Sequence, residues 1–126
     1  MNKLIYLASL YSSNAGPELM VKRFERVEKV TAVLLRTGLK IFSPIVYSHA
    51  IAHNHSLPKD FPFWMELDTT FISHCSEVWV LLGDMPIEKS RGVTAEIEFA
   101  RKNNIPIKLL EFNDETGEWR LLDYEN

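Results

Sequence analysis

The stretch EVWVLL, residues 77–82, followed at once by Gly83-Asp84, decides the fold. It is a near-continuous apolar run closed by a turn signal, the pattern of a strand covered on both faces, and such burial implies helices above and below a sheet. Residues 3–8 (KLIYLA) form a similar short run bounded by a stretch containing Ser, Gly and Pro, so a first strand is expected there. From Pro17 onward, Leu19, Phe24, Val27, Val30, Leu34 and Leu35 recur at helical spacing. Pro17 stands where a helix has an N–H to spare, and Gly38 suits the C-terminal cap. Residues 39–42 (LKIF) make a second strand, which Ser43-Pro44 ends because proline cannot extend a ladder. Residues 63–75 are predicted as a second helix and residues 90–102 (SRGVTAEIEFARK) as a third, with Val93, Ile97 and Ala100 on one face. Residues 105–110 (IPIKLL) are a fourth strand, and residues 119–122 are a short final strand or a turn. Strands alternating with helices specify a parallel sheet joined by right-handed crossovers. The expected fold class is therefore α/β, a Rossmann-like or flavodoxin-like three-layer sandwich with a central parallel five-stranded sheet.

The 126 residues, 46% of them hydrophobic, suffice for one domain with a proper core and are too few for two. Fourteen Lys+Arg against 17 Asp+Glu, a net charge of -3, lack the basic footprint of a nucleic-acid binder, so a nucleic-acid polymer is not an expected partner. The apolar runs are only a few residues long and the N-terminus has no extended apolar region, so a soluble, cytoplasmic protein with no membrane contact is expected. A single cysteine, Cys75, excludes an internal disulfide and every Cys-paired zinc motif; it is expected as a small buried hydrophobe. Residues 56–62 (SLPKDFP) carry two prolines and are expected as an exposed loop.

Open parallel sheets bind ligands beyond the carboxyl ends of their strands. Residues 9–16, 43–55, 83–92 and 111–117 leave those ends. Ser90 lies at a predicted helix N-terminus, where unpaired N–H groups favour a phosphate or carboxylate, and Gly92 allows a ligand close to the backbone. Glu96 lies nearly two turns into that helix and Glu98 about 200° further round, so the two cannot serve one surface. The plainer alternative is Ser90 as an N-cap and Glu96 as a solvated helix residue. Asp68 follows Trp64 by about one turn, and a carboxylate beside an indole can grip a flat heterocycle; the plainer alternative is a core tryptophan and a surface acid. Tyr6 belongs to the first strand, a core position whose phenol could reach a carboxylate in the cleft. His49, His53 and His55 fall within YSHAIAHNH, but neither an HExxH order nor an intervening acid supports a zinc site, and a polar loop with His49 facing a ligand is the better reading. GxGxxG, GxxxxGK[ST] and GxSxG are absent, which disfavours the usual dinucleotide site, a P-loop and a serine hydrolase elbow.

Taken together, the opening IYLASLYS, the SPIVYSH after the second strand, the FW…D helix and S-x-G-V-x-x-E from Ser90 to Glu96 resemble the nucleoside 2-deoxyribosyltransferase-like superfamily. The likeness is greatest to its small bacterial and phage branch DUF1937, with motif similarity to the 2'-deoxynucleoside 5'-monophosphate N-hydrolases, and runs from about residue 3 to residue 110. The resemblance implies that Glu96 is the nucleophile at the anomeric carbon of a 2-deoxyribose and that Ser90 contacts phosphate. It further implies that Asp68 works near base and sugar, and that Tyr6 hydrogen bonds the nucleophile. Trp64 and Phe63 would stack on the base. The implied substrate is a small-molecule nucleoside or nucleotide, cleaved by hydrolysis or by transfer to a second base, without metal or organic cofactor; a nucleotide-binding module without catalysis is the alternative. The first loop, ASLYSSNAGPEL, lacks the Gly- and Arg-containing phosphate loop of the monophosphate hydrolases, for which Ser9, Ser12, Ser13 and Arg23 are candidate substitutes. The resemblance also implies a homo-oligomer whose neighbouring subunit completes each site, with Asn113 and the tail Tyr124, Glu125 and Asn126 as candidates.

Overall fold

The computed structural model describes residues 3–12 and 15–124. Its elements in chain order are β1 (Leu4–Ala8), α1 (Pro17–Arg36), β2 (Lys40–Phe42), α2 (Pro44–Asn54), α3 (Phe61–Ser73), β3 (Glu77–Leu81), α4 (Arg91–Lys102), β4 (Ile107–Phe112) and β5 (Trp119–Asp123), with a 3-10 turn, Ile87–Lys89, ahead of α4. The strand order is β2-β1-β3-β4-β5, the 2-1-3-4-5 order of flavodoxin-like sheets. β1 runs parallel to β2 and to β3, and β3 runs parallel to β4.

The expectation of an all-parallel sheet is corrected at its edge. β5 is antiparallel to β4, from Lys108 opposite Asp123 to Phe112 opposite Trp119. Only residues 113–118 separate the two strands. A parallel return needs a crossover of a dozen residues or more, so a connection this short permits only a hairpin.

Central placement explains the apolar run that decides the fold. Val78 and Val80 share a sheet face with Tyr6 and Ala8 of β1, in one core with Ile72 of α3 and Val93, Ile97 and Ala100 of α4. Trp79 and Leu81 face the other way, with Ile5, Leu7, Leu110 and Phe112 against Val27, Val30 and Leu34 of α1. Helices thus cover both faces, and the alternation of side chains along a strand assigns each residue to one of two cores. Leu35, expected on the buried stripe of α1, is 48% exposed; Arg23 is buried on that helix instead. Gly38, just past the helix, has φ +95°, a left-handed conformation that a side chain would strain.

Two helix starts differ from expectation. α3 begins at Phe61, because the Asp60 carboxylate accepts from the Phe63 N–H at 3.2 Å and Pro62 occupies the first turn. The segment after β2, expected as a polar loop, is the helix α2: the Ser43 hydroxyl accepts from the Val46 N–H at 3.1 Å and Pro44 opens the helix. The Ser-Pro pair that ends the strand is also the cap of the next element.

Two arginines of α1 tie together the loops at the carboxyl ends of the strands. Arg23 donates to both Asp84 oxygens at 2.9 and 2.6 Å and to the Tyr11 carbonyl at 2.9 Å. Arg26 donates to the Leu82 carbonyl at 2.8 Å and to Asp114 at 3.0 Å. Among the described residues no helix is long and apolar enough to cross a membrane.

Leu34→Ala removes a fully buried side chain from the α1 core and is expected to cost about 3 kcal/mol in urea unfolding. Leu35→Ala, one position on, should change stability by less than about 0.5 kcal/mol.

Candidate active site

A cavity of about 880 Å³ opens beyond the carboxyl end of β1, beside the point where strand order reverses. Its size lies within the roughly 300–1,000 Å³ of small-molecule sites. Ser9 and Tyr11 from the loop after β1, His49 from α2, Trp64 and Asp68 from α3, and Ser90, Gly92 and Glu96 from the start of α4 all line it. The structure therefore brings Glu96, Asp68, Ser90, Gly92, Ser9, His49 and Trp64 to one cavity, with Tyr6 packed behind Glu96.

Glu96 is 5% exposed, which displaces the alternative of a solvated helix residue. It shares the inward side of α4 with Val93, Ile97 and Ala100, while Glu98 points outward to Arg101 at 3.2 Å and Lys102 at 3.7 Å. The Tyr6 hydroxyl, with no exposure at all, donates to Glu96 Oε2. Asp68 is half-buried rather than a surface acid. Burial pushes its carboxyl up to about 7, with Tyr6, as a hydrogen-bond partner, pulling the other way. Burial likewise pushes Glu96 up to about 8, the Asp68 charge adds to the rise, and the Tyr6 hydrogen bond opposes it. Tyr6 itself is held well above the usual phenol range by burial first and by Glu96 second, so it keeps its proton. The two carboxyls thus behave as a coupled pair that retains a proton near neutrality. Burial is the first cause of the rise in both carboxyls, and the Tyr6 hydroxyl, a partner to each, opposes it in both.

Around the pair, Ser90 Oγ caps α4 by accepting from the Val93 N–H at 3.2 Å. A Cβ added at Gly92 would meet nothing within 4 Å, so the first turn of α4 is open to the cavity. Ser9 Oγ is buried and has no hydrogen-bond partner among the described residues. Trp64 Nε1 donates to the Pro58 carbonyl at 2.7 Å, fixing the indole against the loop before α3. His49 lies 2.5 Å through Nδ1 from the Tyr11 hydroxyl and stacks on Phe24 with ring centroids 4.0 Å apart.

Several expected roles are not supported by position. Phe63 is 40% exposed and does not line the cavity; at 100° per residue the positions sharing the face of Trp64 are Phe61 and Asp68, and Phe61 is the aromatic at the wall. Arg91, which no sequence motif singled out, lies 3.9 Å over the Phe61 ring and also lines the cavity. Arg23 serves the two loops rather than the cavity, and Ser13 lies outside the described residues. Asn113 Oδ1 accepts from the Glu115 and Thr116 N–H groups at 2.9 and 3.1 Å, so it shapes the β4–β5 turn. Tyr124 packs against the core, and Glu125 and Asn126 lie outside the described residues. Cys75 is 8% exposed, with its thiol pushed up to about 11 by burial. Among the described residues no three His, Cys, Asp or Glu side chains converge as a metal site.

Because both carboxyls titrate higher in the folded chain than in the unfolded one, the native state holds more protons between about pH 4 and pH 8, and stability falls as pH rises through that window. Glu96→Gln keeps the shape without the charge. It should be more stable than the wild type by on the order of 2 kcal/mol at pH 9, a gain that shrinks towards pH 4. Urea unfolding at the two pH values measures it, and a gain independent of pH would contradict the buried-charge account.

Comparison with known proteins agrees with this fold. The family model of DUF1937, a domain of unknown function, matches residues 3–112. No curated protein sequence matches the chain. Among solved structures, a 2-deoxyribosyltransferase from the psychrotolerant bacterium Bacillus psychrosaccharolyticus is similar with a TM-score of 0.54 at 22% identity, over 84% of this chain and 70% of that one. At that identity the likeness is one of fold, whereas the family match spans most of the sequence: the chain belongs to the DUF1937 family.

Proposed function

We propose that the protein cleaves the N-glycosidic bond of 2'-deoxynucleosides or their 5'-monophosphates, with Glu96 as the nucleophile. The observation that carries this reading is the buried Glu96 carboxyl facing a cavity of small-molecule size, hydrogen-bonded by Tyr6 and paired with a second carboxyl, Asp68, that retains a proton near neutrality. The fold neighbour is a 2-deoxyribosyltransferase, which supports glycosyl transfer as the class of chemistry.

In the first step a Glu96 oxygen bonds to C1' as the C1'–N bond breaks. The bond electrons leave with the base, which takes the Asp68 proton. The carboxylate stabilises the oxocarbenium-like centre and captures it covalently. Water or a second base then attacks C1', its proton passes to Asp68, and the Glu96 carboxylate is released. For this the shared proton must sit on Asp68 when substrate is bound. The donor hydrogen bond from Tyr6 to Glu96 favours that arrangement. Trp64 and Phe61 offer flat apolar surface to the base, and Ser90, Gly92 and Ser9 offer polar contacts to the sugar end. The absent 2'-hydroxyl makes the oxocarbenium easier to form, which favours a deoxy sugar, and the chemistry asks for no metal or organic cofactor.

A second reading, nucleotide binding without turnover, draws on one observation: burial favours the neutral form of Glu96. A homo-oligomer belongs to the proposal as well. Tyr47 and Ile51 on α2 and Phe63 on α3 are 49%, 39% and 40% exposed, which is costly apolar surface to leave in water.

Incubation with the four 2'-deoxynucleosides and their 5'-monophosphates, with and without an added acceptor base, should release free base detectable by chromatography. Glu96→Ala should lower that release by at least a thousandfold. Substrate binding without any release from the wild type would favour the second reading. Sedimentation at assay concentration should show a dimer or larger assembly, and a monomer would remove the oligomer from the proposal.

A further inference from the structure

The histidines of α2 belong to no step of that chemistry, yet two of them face the cavity. His49 and His53 are four residues apart on α2, their ring centroids are 4.6 Å apart, and both line the cavity. His49 is held on three sides. Phe24 of α1 stacks on its ring, Tyr11 engages Nδ1, and His53 lies along the same helix. Burial raises the Tyr11 phenol, so that hydroxyl keeps its proton and can donate to Nδ1. A donor on Nδ1 leaves the ring's proton on Nε2, a fixed hydrogen-bond donor even when the imidazole is neutral.

The charge around the cavity is divided. Its lining acids are Asp68 and Glu96, which belong to the Tyr6 group, while Lys59 and Arg91 join the two histidines as the lining residues able to carry positive charge. The residues that bear electrostatically on His49 are His53, which disfavours its protonation, and Glu28 of α1, which favours it. Two imidazoles side by side without a carboxylate among the cavity-lining residues near them lack the third ligand of a metal site. They suit a group with several acceptor oxygens and negative charge. Ser9 Oγ, buried and unpartnered among the described residues, lines the same cavity and is two residues from Tyr11.

We propose that the His49–His53 face of α2 holds the 5'-phosphate of the substrate, with Ser9 as a further donor, so that deoxynucleoside monophosphates are preferred over deoxynucleosides. This rests on the proposed glycosidic cleavage, which it narrows to a substrate class. A dianion next to His49 offsets both influences that keep that ring neutral, its burial and its neighbour His53. Binding therefore takes up protons and tightens as pH falls from 8 to 6.

The test follows the histidine ring protons of the protein by NMR during titration with 2-deoxyribose 5-phosphate, 2-deoxyribose, a 2'-deoxynucleoside and inorganic phosphate. The sugar phosphate should shift the His49 and His53 signals, bind at least tenfold more tightly at pH 6 than at pH 8, and outcompete inorganic phosphate. His53→Gln, at an exposed position that does not carry the Phe24 stack, should weaken sugar-phosphate binding at least fivefold, and His49→Gln more. Both variants should also lower the ratio of kcat/KM for monophosphate over nucleoside by tenfold or more. Ring shifts with the nucleoside but not the sugar phosphate would assign the pair to the base and overturn the inference. So would equal binding of inorganic phosphate or unchanged affinity in His53→Gln. The NMR titration needs no turnover, so absence of base release would refute the cleavage reading while leaving phosphate capture at α2 to be judged separately.

Discussion

A carboxyl group buried against the central sheet is tolerable only while something meets it, and in this molecule that something is a tyrosine in the middle of a strand. Tyr6 has no exposed surface and lies on the face of β1 that packs against α3 and α4. Its hydroxyl is the one donor that reaches Glu96 Oε2 among the described hydrogen bonds. Much of the arrangement around it follows. α4 has to present a glutamate to the sheet within an otherwise apolar side, and α3 has to bring a second carboxyl close enough to raise the first. Transfer of an unpaired ionised carboxyl from water into such a place costs several kcal/mol. A sequence that keeps one there gives up stability.

The loops that frame this pair are not loose. Arg23 and Arg26 project from adjacent turns of α1 and bind carbonyls or carboxylates on the segments that follow β1, β3 and β4. Arg23 can be buried because Asp84 accepts from it at two nitrogens, and the pair holds the Asp84 carboxyl below its usual range. The floor of the site rests on the sheet, and one side of its rim is set by a helix that contributes few residues to the lining. Rigid loops at strand ends are a requirement for chemistry in which small misplacements of reacting atoms cost rate.

Much of this was legible in the sequence, for definable reasons. The run in β3 and the helical spacing of apolar residues in α1 pointed to the layers, because apolar periodicity follows burial, although Leu35 of that stripe is exposed. The S-x-G-V-x-x-E segment singled out Ser90, Gly92 and Glu96 through its resemblance to a known family, whereas spacing alone left Glu96 open between a site residue and a solvated one. The register of α3 was less legible. The prediction began that helix two residues late and so chose Phe63 over Phe61, although Asp60 followed by Pro62 carries the cap signal. α2 was missed because Ser43-Pro44 was read only as the end of a strand. The reversal of β5 depends on the length of the connection that precedes it, and Arg23 became buried through a partner 61 residues away. Sequence spacing along one element cannot report a distance between two.

The antiparallel final strand also bears on how the sheet survives in a crowded solution. Without it, β4 would present a parallel edge whose free N–H and C=O groups could pair with another chain. β5 covers that edge through a hairpin of low contact order, the kind of local pairing that closes quickly during folding. β5 itself carries Arg120, joined across the ladder to Glu111 at 2.6 Å, and Asp123, charges that discourage further strand addition. The hairpin is thus a guard against aggregation placed at the edge of the sheet away from the cavity.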